Sequence, residues 1–561
     1  MLDKSNANAR FPWIAQYPEG VPSSLDAGMP LSMPDLLKRA AAAFPDHVAL
    51  SFGDKAWTYS EMKTLVAQTA RGLQDAGVRS GDRVAVMMPN HPAVPIWFFG
   101  ALSIGATVVS INALFAPGMV RHMLDDSGAK VLLTLDSPEM VDKVAPLLEM
   151  GMLERVVTAS VEANELAPAG SDAARPIPGR KKVPLQGLLA NDGRFDEPAL
   201  DPREALAVLQ YTGGTTGTPK GAMLTHANLT TNANQIRAWF PSLREGAERF
   251  LIPLPFSHIT GITVCMTFAV LLGAELMVVP RFAPDDALGL LRQRRPTFFG
   301  GVPTIFIALL MTNAMAPADW TSVKAILCGG APLPPDVLKQ FESVSGLKVR
   351  QIYGSTELSP AATIMPANLD EPRSSVGLPI PGTIVEIRDT ADPGKRMEVG
   401  QSGEIVVAGP QVMKGYWKRE EETERAMVDG FFRTGDIGRF DERGYLFIVD
   451  RLKDMIIAGG YNVYPANVEA AVYSHPAVAE TIVIGVPDAY RGETIKAFVV
   501  LRGGATLTID ELQAHLKDRL SPIEMPRQLE IRNELPKTAV GKLSRLELRR
   551  ELGGADQRAG E

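Results

Sequence analysis

Cysteine is scarce in this 561-residue chain, which contains only Cys265 and Cys328. Both lie in apolar runs, and neither has a partner at metal-ligand spacing. A disulfide framework and a structural zinc site are therefore not indicated, and we expect two buried, reduced thiols. Basic charge is not in excess either. The 57 Lys and Arg against 64 Asp and Glu give a net charge of −7, which argues against a nucleic-acid-binding surface.

Long uninterrupted hydrophobic runs are also missing. The best membrane candidate, Ile262–Pro280, is broken by Gly273 and Glu275, and its length and interruptions predict buried core instead of a membrane span. The first thirteen residues are polar and lack the apolar centre of a secretion signal. We therefore expect a cytoplasmic protein without a transmembrane segment, and peripheral contact with a membrane stays open.

The length predicts two or more domains, because one hydrophobic core does not grow to this size. In the first third, the strand-like runs Arg83–Met88 and Ala106–Ile111 flank a helical run at Val94–Ile104. Strands that alternate with helices indicate a parallel sheet wrapped by helices. The polar stretch Ser160–Phe195, with the basic cluster Arg180–Lys182, is interpreted as an exposed connection.

One stretch, Tyr211–Ala222, holds four glycines, four threonines, one proline and one lysine in twelve residues. Glycines bring backbone N–H groups close to an anion, threonine hydroxyls add donors, and Lys220 adds charge. The stretch therefore predicts a phosphate-binding loop. It is not a Walker loop, because Pro219 stands where that motif has glycine before the lysine.

A second strong signal is the run Gln351–Glu357. A bound nucleotide needs an apolar surface for its base, a hydroxyl for the α-phosphate and a carboxylate for Mg²⁺. Tyr353, Thr356 and Glu357 supply these three groups within one short turn. Taken alone, the last two could simply cap a helix.

A third group of candidate ligand-binding motifs consists of glycine-rich turns at the ends of predicted strands. Phe298–Pro303 and the turn at Gly329 and Gly330 both occupy such ends, where doubly wound sheets bind their ligands. His258 lies in the proline-rich turn Leu251–Gly261. A single histidine in an apolar setting is more often a hydrogen-bonded core residue than a catalyst.

The end of the chain reads as a separate small domain. A mostly charged segment, Asp450–Asp454, stands between two apolar strands and is a natural boundary. Residues 455–561 alternate strands and helices of an α+β unit. Lys542 lies in the loop Leu535–Arg545, and a lysine in such a place is usually a solvated surface charge.

These motifs, in this order, resemble those of the adenylate-forming superfamily, which contains acyl-CoA synthetases, peptide-synthetase adenylation domains and beetle luciferases. The similarity extends over nearly the whole chain and is greatest to bacterial medium- and long-chain fatty-acid CoA ligases. It implies an α/β fold with a large N-terminal domain of wrapped parallel sheets plus a β-barrel-like subdomain, at residues 1–449. A hinge at 450–454 and a small mobile α+β domain at 455–561 would follow.

The resemblance also implies a role for each motif residue. Lys542, Thr356 and Glu357 would be catalytic, Glu357 and Thr215 would hold Mg²⁺, and Lys453 would be the hinge pivot. The implied ATP-binding residues are Thr212, Gly213, Gly214, Thr215, Thr216, Gly217, Lys220, Gly330, Ala331, Pro332, Gln351, Tyr353, Gly354, Asp436 and Arg451. The implied acyl pocket is lined by His258, Gly261, Ile262, Gly300, Val302 and Pro303, and the implied CoA segment contains Gly459, Gly460 and Tyr461.

The implied reaction joins a carboxylic acid to the α-phosphorus of ATP and then transfers the acyl group to the CoA thiol, with Mg²⁺ as cofactor. Small and aliphatic pocket residues favour a medium- or long-chain fatty acid. Aryl acids, dicarboxylic acids, an acyl-AMP ligase without CoA, a carrier-loading adenylation domain and a luciferase-like oxygenase stay open as alternatives. A non-catalytic binding protein is the least favoured. The sequence does not distinguish a monomer from a homodimer and does not address lysine acetylation.

Overall fold

The structure is a computed structural model of the chain. It describes residues 11–25, 30–166, 181–212, 219–366, 372, 374–458, 461–488, 492–517, 519–537 and 543–552. The strands, in chain order, are β1 (Val48–Phe52), β2 (Lys55–Thr58), β3 (Arg83–Val86), β4 (Thr107–Ser110), β5 (Val131–Leu135), β6 (Arg155–Ala159), β7 (Lys182–Pro184), β8 (Leu206–Thr212), β9 (Lys220–Thr225), β10 (Arg249–Leu251), β11 (Glu275–Met277), β12 (Phe298–Gly301), β13 (Ala325–Cys328), β14 (Val349–Gly354), β15 (Ala361–Ile364), β16 (Leu378–Pro379), β17 (Ile384–Arg388), β18 (Gly403–Ala408), β19 (Gly415–Tyr416), β20 (Met427–Val428), β21 (Phe431–Phe440), β22 (Leu446–Arg451), β23 (Ile456–Ala458), β24 (Tyr461–Val463), β25 (Val478–Asp488), β26 (Gly492–Leu501) and β27 (Gln528–Ile531).

The α-helices are α1 (Met33–Ala43), α2 (Tyr59–Asp75), α3 (Ala93–Ser103), α4 (Pro117–Ser127), α5 (Pro138–Glu149), α6 (Leu185–Leu189), α7 (His226–Trp239), α8 (Phe268–Leu272), α9 (Pro284–Arg294), α10 (Pro303–Met311), α11 (Pro335–Ser345), α12 (Glu420–Arg425), α13 (Pro465–Tyr473), α14 (Ile509–Leu516) and α15 (Arg545–Glu551). A π-helix, Gly261–Thr267, leads into α8. Short 3₁₀ turns account for the other helical segments.

Two compact units divide the chain. The first comprises residues 1–213, 219–384 and 408–425, and the second comprises 214–218, 385–407 and 426–561. The five-stranded sheet β17-β18-β21-β20, with β22 beside β21, thus falls in the second unit apart from Ile384 and Ala408. The domain boundary expected at Asp450–Asp454 stays a prediction.

Two large sheets form the first unit. One has the strand order β19-β9-β8-β4-β3-β5-β6-β7, and the other has the order β16-β15-β14-β13-β12-β10-β11-β1-β2. The central pairs, such as β4 with β8 and β12 with β13, are parallel, as expected where helices connect successive strands. The predicted wrapped parallel sheets are confirmed.

Local sequence signals account for many of these elements. Helix α2 begins with a capping box, in which the Thr58 hydroxyl accepts from the Glu61 N–H and the Glu61 carboxylate accepts from the Thr58 N–H. Helix α3 is buried along its whole length, which explains why its sequence is apolar on every face. Both cysteines are buried and free, as predicted.

The interpretation of 160–195 as an exposed connection is wrong in its second half. Residues 182–184 form the edge strand β7, and α6 then buries Leu185, Leu188 and Leu189. The leucines pack because the short helix returns against the sheet, and such a short run carries too little periodicity to reveal it. In Ile262–Pro280 every residue except Leu271 and Pro280 is buried, which confirms the prediction of buried core. Among the residues that the structure describes, no helix is long and apolar enough to cross a membrane.

Candidate active site

Three predicted motifs meet at one edge of the nine-stranded sheet. Strands β12, β13 and β14 are neighbours and parallel, with Gly301 opposite Cys328 and Cys328 opposite Gln351. Their carboxyl ends therefore place the glycine turns after β12 and β13 beside the Tyr353 segment. The Gly329 N–H donates to the Gly301 carbonyl at 3.1 Å. The prediction that these turns lie together is confirmed by the strand order.

Close packing explains why the Tyr353 segment has glycine at position 354. A Cβ added at Gly354 would lie 1.8 Å from the Pro360 carbonyl oxygen, so any side chain would displace the backbone just before Glu357. Gly330 has φ +79°, a conformation that favours glycine. Gln351 helps to hold this turn, because its Oε1 accepts from the Leu333 N–H at 3.4 Å.

The Glu357 carboxylate is 9% exposed and is oriented by a tyrosine. The Tyr416 hydroxyl donates to Glu357 Oε1 at 2.9 Å. Burial and the neighbouring carboxylate raise the pKa of Tyr416 well above its usual range, so the hydroxyl stays protonated and can donate. Lys220 Nζ lies 5.3 Å from the centre of the Tyr416 ring. Tyr416 therefore lies between residues of the two strongest sequence motifs.

The base of the predicted phosphate loop is well anchored. Thr212 and Lys220 face each other across the antiparallel pair of β8 and β9, while residues 213–218 lie outside the described residues. The Tyr211 hydroxyl donates to Asp126 Oδ2 at 2.7 Å, and His122 Nε2 lies 3.1 Å from the Pro219 carbonyl oxygen. Helix α4 thus supports both ends of the loop.

The residues predicted for the acyl pocket differ in exposure. Ile262 and Pro303 are buried, Val302 is half-buried, and His258 is exposed, which shows that His258 is not an ordinary core histidine. Its Nδ1 lies 3.1 Å from the Thr260 hydroxyl. A Cβ on Gly261 would approach the Pro255 carbonyl oxygen to 2.1 Å, and one on Gly300 would approach Ile252 to 3.3 Å. Close backbone packing therefore requires glycine at 261. That these residues line an acyl pocket stays a prediction.

In the second unit, two of the predicted ATP-binding residues are paired with each other. Asp436 and Arg451 are directly opposite in the antiparallel pair of β21 and β22. Arg451 Nε lies 2.9 Å from Asp436 Oδ1, and the Asp436 side chain is 10% exposed. The arginine thereby orients the Asp436 side chain, whose carboxylate oxygens can accept further hydrogen bonds. Gly459, Gly460, Lys542 and the side chains of Lys453 and Tyr461 lie outside the described part of the chain.

A buried ion network joins the predicted hinge to the segment after Lys542. Arg545 contacts Glu469, Asp454 and Asp450 at 2.5, 3.1 and 3.5 Å, and Arg549 contacts Asp454 at 3.0 Å. Burial alone would lower the pKa of Arg545, but the carboxylates outweigh it and raise that pKa. The cation is therefore permanent and fixes the start of α15.

Sequence reasoning missed Tyr416 and the arginine network. Tyr416 follows a lysine and a glycine in an otherwise ordinary segment, and it lies 59 residues from its partner Glu357. The excess of carboxylates in 450–469 and arginines in 545–549 was the available signal, but charge alone does not specify which groups pair.

Family models match both parts of the chain. The AMP-binding enzyme model matches residues 37–417, and the model of the AMP-binding enzyme C-terminal domain matches residues 467–542. The chain belongs to the AMP-binding enzyme family. The expected relationship to the adenylate-forming superfamily is thereby confirmed.

Relatives in this family share most of their length with the chain. A long-chain-fatty-acid–CoA ligase from Bacillus subtilis is 40% identical over 560 residues, covering 96% of this chain and 98% of that protein. A feruloyl-CoA synthase from an Amycolatopsis species is 38% identical over 517 residues, covering 92% and 98%. These AMP-binding relatives agree with the expectation of an acid–CoA ligase.

Solved structures of the AMP-binding family confirm the fold class. ATP-bound MatB from Rhodopseudomonas palustris has a TM-score of 0.82 at 28% identity, covering 93% of this chain and 99% of that chain. The o-succinylbenzoate coenzyme A synthetase of Bacillus subtilis, in complex with ATP and magnesium ion, has a TM-score of 0.77 at 29% identity, covering 92% and 99%.

Proposed function

We propose that this AMP-binding enzyme is an acyl-CoA ligase that acts on medium- or long-chain fatty acids. It converts the acid, ATP and CoA into acyl-CoA, AMP and pyrophosphate through an acyl-adenylate. One observation carries the proposal. The carboxyl ends of β12, β13 and β14 lie side by side, and Tyr416 connects Glu357, just after β14, to Lys220 of the predicted phosphate loop. The relatives named long-chain-fatty-acid–CoA ligase support the choice of acid.

A second candidate substrate class is the aryl acids. Feruloyl-CoA synthases are 38% identical to the chain over 92% of its length. Buried Ile262 and Pro303 and the small Gly300 favour an alkyl chain, since they offer apolar surface without a polar partner for a ring hydroxyl.

The Glu357 side chain fits a magnesium ion. Mg²⁺ in nucleotide sites is commonly held by one or two carboxylates together with substrate phosphates and waters. Glu357 supplies one carboxylate, of which Oε1 is oriented by Tyr416, and among the described residues no cluster of three or more ligating side chains competes for the ion. When bound with ATP, the ion would neutralise charge on the leaving pyrophosphate; Thr215 is the other proposed ligand.

The chemical problem is the approach of one anion to another, because a carboxylate must attack the α-phosphorus of ATP. We assign Lys542 to hold the acid carboxylate and an α-phosphate oxygen together, and Thr356 to donate to that phosphate. Lys220 and the loop 212–217 would bind the departing pyrophosphate. Each such donor contributes about 3–4 kcal/mol to transition-state stabilisation when it is well placed.

Recognition of the nucleoside is assigned to the remaining motif residues. Tyr353 and the turn at Gly330, Ala331 and Pro332 would pack on the base. Asp436, oriented by Arg451, would accept hydrogen bonds from the ribose hydroxyls.

The thioester step needs a second arrangement of the enzyme. Lys542 has no role in the attack of a thiol on the acyl carbon, so we propose that residues 455–561 turn about Lys453. The segment with Gly459, Gly460 and Tyr461 would then border the CoA thiol. A Lys453→Pro variant should lose thioester formation while it keeps adenylate formation, and equal loss of both would contradict the two-state scheme.

The decisive experiment measures pyrophosphate release with Mg²⁺, ATP and a panel of fatty acids, benzoate, ferulate and dicarboxylates, with and without CoA. Lys542→Ala should lower adenylate formation at least ~100-fold, while Lys517→Ala serves as a lysine control in the same unit. Absence of any AMP-linked product, or full activity of Lys542→Ala, would refute the proposal. A preference for aryl acids would select the second candidate, and AMP release independent of CoA would select an acyl-AMP ligase.

A further inference from the structure

The turn that carries His258 is held by three buried polar side chains of the other sheet. Ser110 ends β4, Gln210 lies in β8, and Asn90 lies four residues beyond the end of β3. These are consecutive strands of the eight-stranded sheet. The turn itself follows β10 of the nine-stranded sheet. We call these three side chains the turn clamp.

The turn clamp makes four hydrogen bonds to the backbone of residues 254–257. Asn90 Nδ2 donates to the Leu254 carbonyl at 2.8 Å, and its Oδ1 accepts from the Phe256 N–H at 2.7 Å. The Ser110 hydroxyl donates to the Phe256 carbonyl at 3.3 Å, and Gln210 Nε2 donates to the Ser257 carbonyl at 3.0 Å. The clamp therefore holds the backbone of Leu254, Phe256 and Ser257, the residues that precede His258 in this turn apart from Pro255.

Because the three side chains are buried, losing any of these hydrogen bonds would be costly. Asn90, Ser110 and Gln210 are 8%, 2% and 5% exposed, so water does not replace a lost bond and each unpaired group would be costly. Gln210 Oε1 is buried and has no hydrogen-bond partner among the described residues. The Nε2 bond to the Ser257 carbonyl is thus what orients this side chain.

Gln210 connects two predicted functional segments. It lies in β8, two residues before Thr212, where the predicted phosphate loop begins. Its partner Ser257 directly precedes His258. The same turn also supports the start of the π-helix, because Gly261 packs against the Pro255 carbonyl. One amide thereby joins the strand of the phosphate loop to the turn of the predicted acyl wall.

We propose that Gln210 is a positioning residue that couples acid binding to ATP binding. The inference rests on the proposed function, since it requires that His258 and Gly261 border the acid. An acid that fixes the turn also restrains the end of β8 through the Gln210 bond, and with it Thr212 and Lys220, the paired residues at the base of the predicted phosphate loop. Because such coupling is reciprocal, ATP must strengthen acid binding by the same factor.

The test measures binding of α,β-methylene ATP, which cannot form an adenylate, by calorimetry in the absence and presence of saturating hexadecanoic acid. In the unaltered enzyme we expect the acid to tighten nucleotide binding about 5-fold or more. Gln210→Met, which keeps the side-chain length but removes the donor, should bring that ratio close to 1. Ser110→Ala should lower the ratio as well, because it removes a second bond to the same turn.

Thr134→Val is the matched control. The Thr134 hydroxyl is buried in the same sheet and donates to the Met87 carbonyl at 2.8 Å, so this variant also loses one buried bond to a backbone carbonyl but leaves the turn untouched. Its coupling ratio should equal that of the unaltered enzyme.

Two results would overturn the inference: a ratio near 1 in the unaltered enzyme, or an unchanged ratio in Gln210→Met. If Gln210→Met does not fold, Ser110→Ala decides, and an unchanged ratio there counts against coupling. Failure of the proposed function is distinguishable, because it appears as absent pyrophosphate release with every acid.

Discussion

Replacement of Arg545 by methionine would remove the cation that neutralises a buried group of carboxylates while keeping most of the side-chain length. The side chains involved are 19% exposed for Arg545, 1% for Asp450, 12% for Asp454 and 16% for Glu469. Removing one partner of a buried ion pair costs about 3–5 kcal/mol. Arg549 still pairs with Asp454, so the lower end, about 3 kcal/mol, applies here.

Calorimetric melting of the purified enzyme measures this loss. For a unit of this size, about 3 kcal/mol lowers the melting temperature by roughly 6–12 °C. Arg532→Met is the matched control, because Arg532 is similarly exposed but pairs with the open side chains of Glu530 and Glu551, which are 36% and 49% exposed. That change should cost about 1 kcal/mol or less.

The sign of the pH dependence gives a second check. Burial raises the pKa values of Asp450 and Glu469, and the Arg545 charge opposes the rise. Without the arginine these folded-state pKa values rise further, so the variant recovers stability as the pH falls and the carboxylates become neutral. The difference in melting temperature between the variant and the unaltered enzyme should therefore become smaller toward pH 5. Equal melting temperatures of Arg545→Met and the unaltered enzyme at pH 7 would refute the reasoning.

Three further predictions concern the first unit. Gly354→Ala places a Cβ 1.8 Å from the Pro360 carbonyl oxygen, and the resulting backbone shift should lower the rate of pyrophosphate release about 100-fold. Tyr416→Phe removes a bond to the Glu357 carboxylate worth about 1.5–3 kcal/mol, so kcat/KM for ATP should fall by about 10- to 160-fold, and an unchanged value would contradict the orienting role. Burial lowers the pKa of His226 to about 4. Between pH 6.5 and 4 this histidine is therefore protonated in the unfolded chain but neutral in the folded chain. Stability should drop by up to about 3 kcal/mol as the pH falls from 6.5 to 4, and His226→Gln should flatten this part of the melting-temperature profile.

The family and the meeting of the glycine turns at one sheet edge were predictable because the motifs that indicate them are short contiguous segments. The phosphate loop and the Gln351–Glu357 run each contain glycines, hydroxyls and a charge within a few residues, and such turns follow strands in α/β folds. Helix bounds were predictable where a cap marks them, as at Thr58.

The pairings that orient these groups were not predictable from local pattern. The Tyr416 hydroxyl reaches Glu357 only because β19 pairs with β9 and so brings residues 415–416 into the same sheet as Lys220. The burial of α6 was missed for a related reason, since five residues show no clear period.

The sequence by itself determined the family, the order of the motifs and the kinds of groups proposed to bind ATP, because these depend on residue types at short spacing. Only the tertiary structure decided which distant side chains orient them: Tyr416 on Glu357, Gln210 on the Ser257 carbonyl, and Arg545 among its carboxylates. The physical reason is that a buried polar group is stable only with its specific partner, and strand order, which local pattern does not encode, selects that partner.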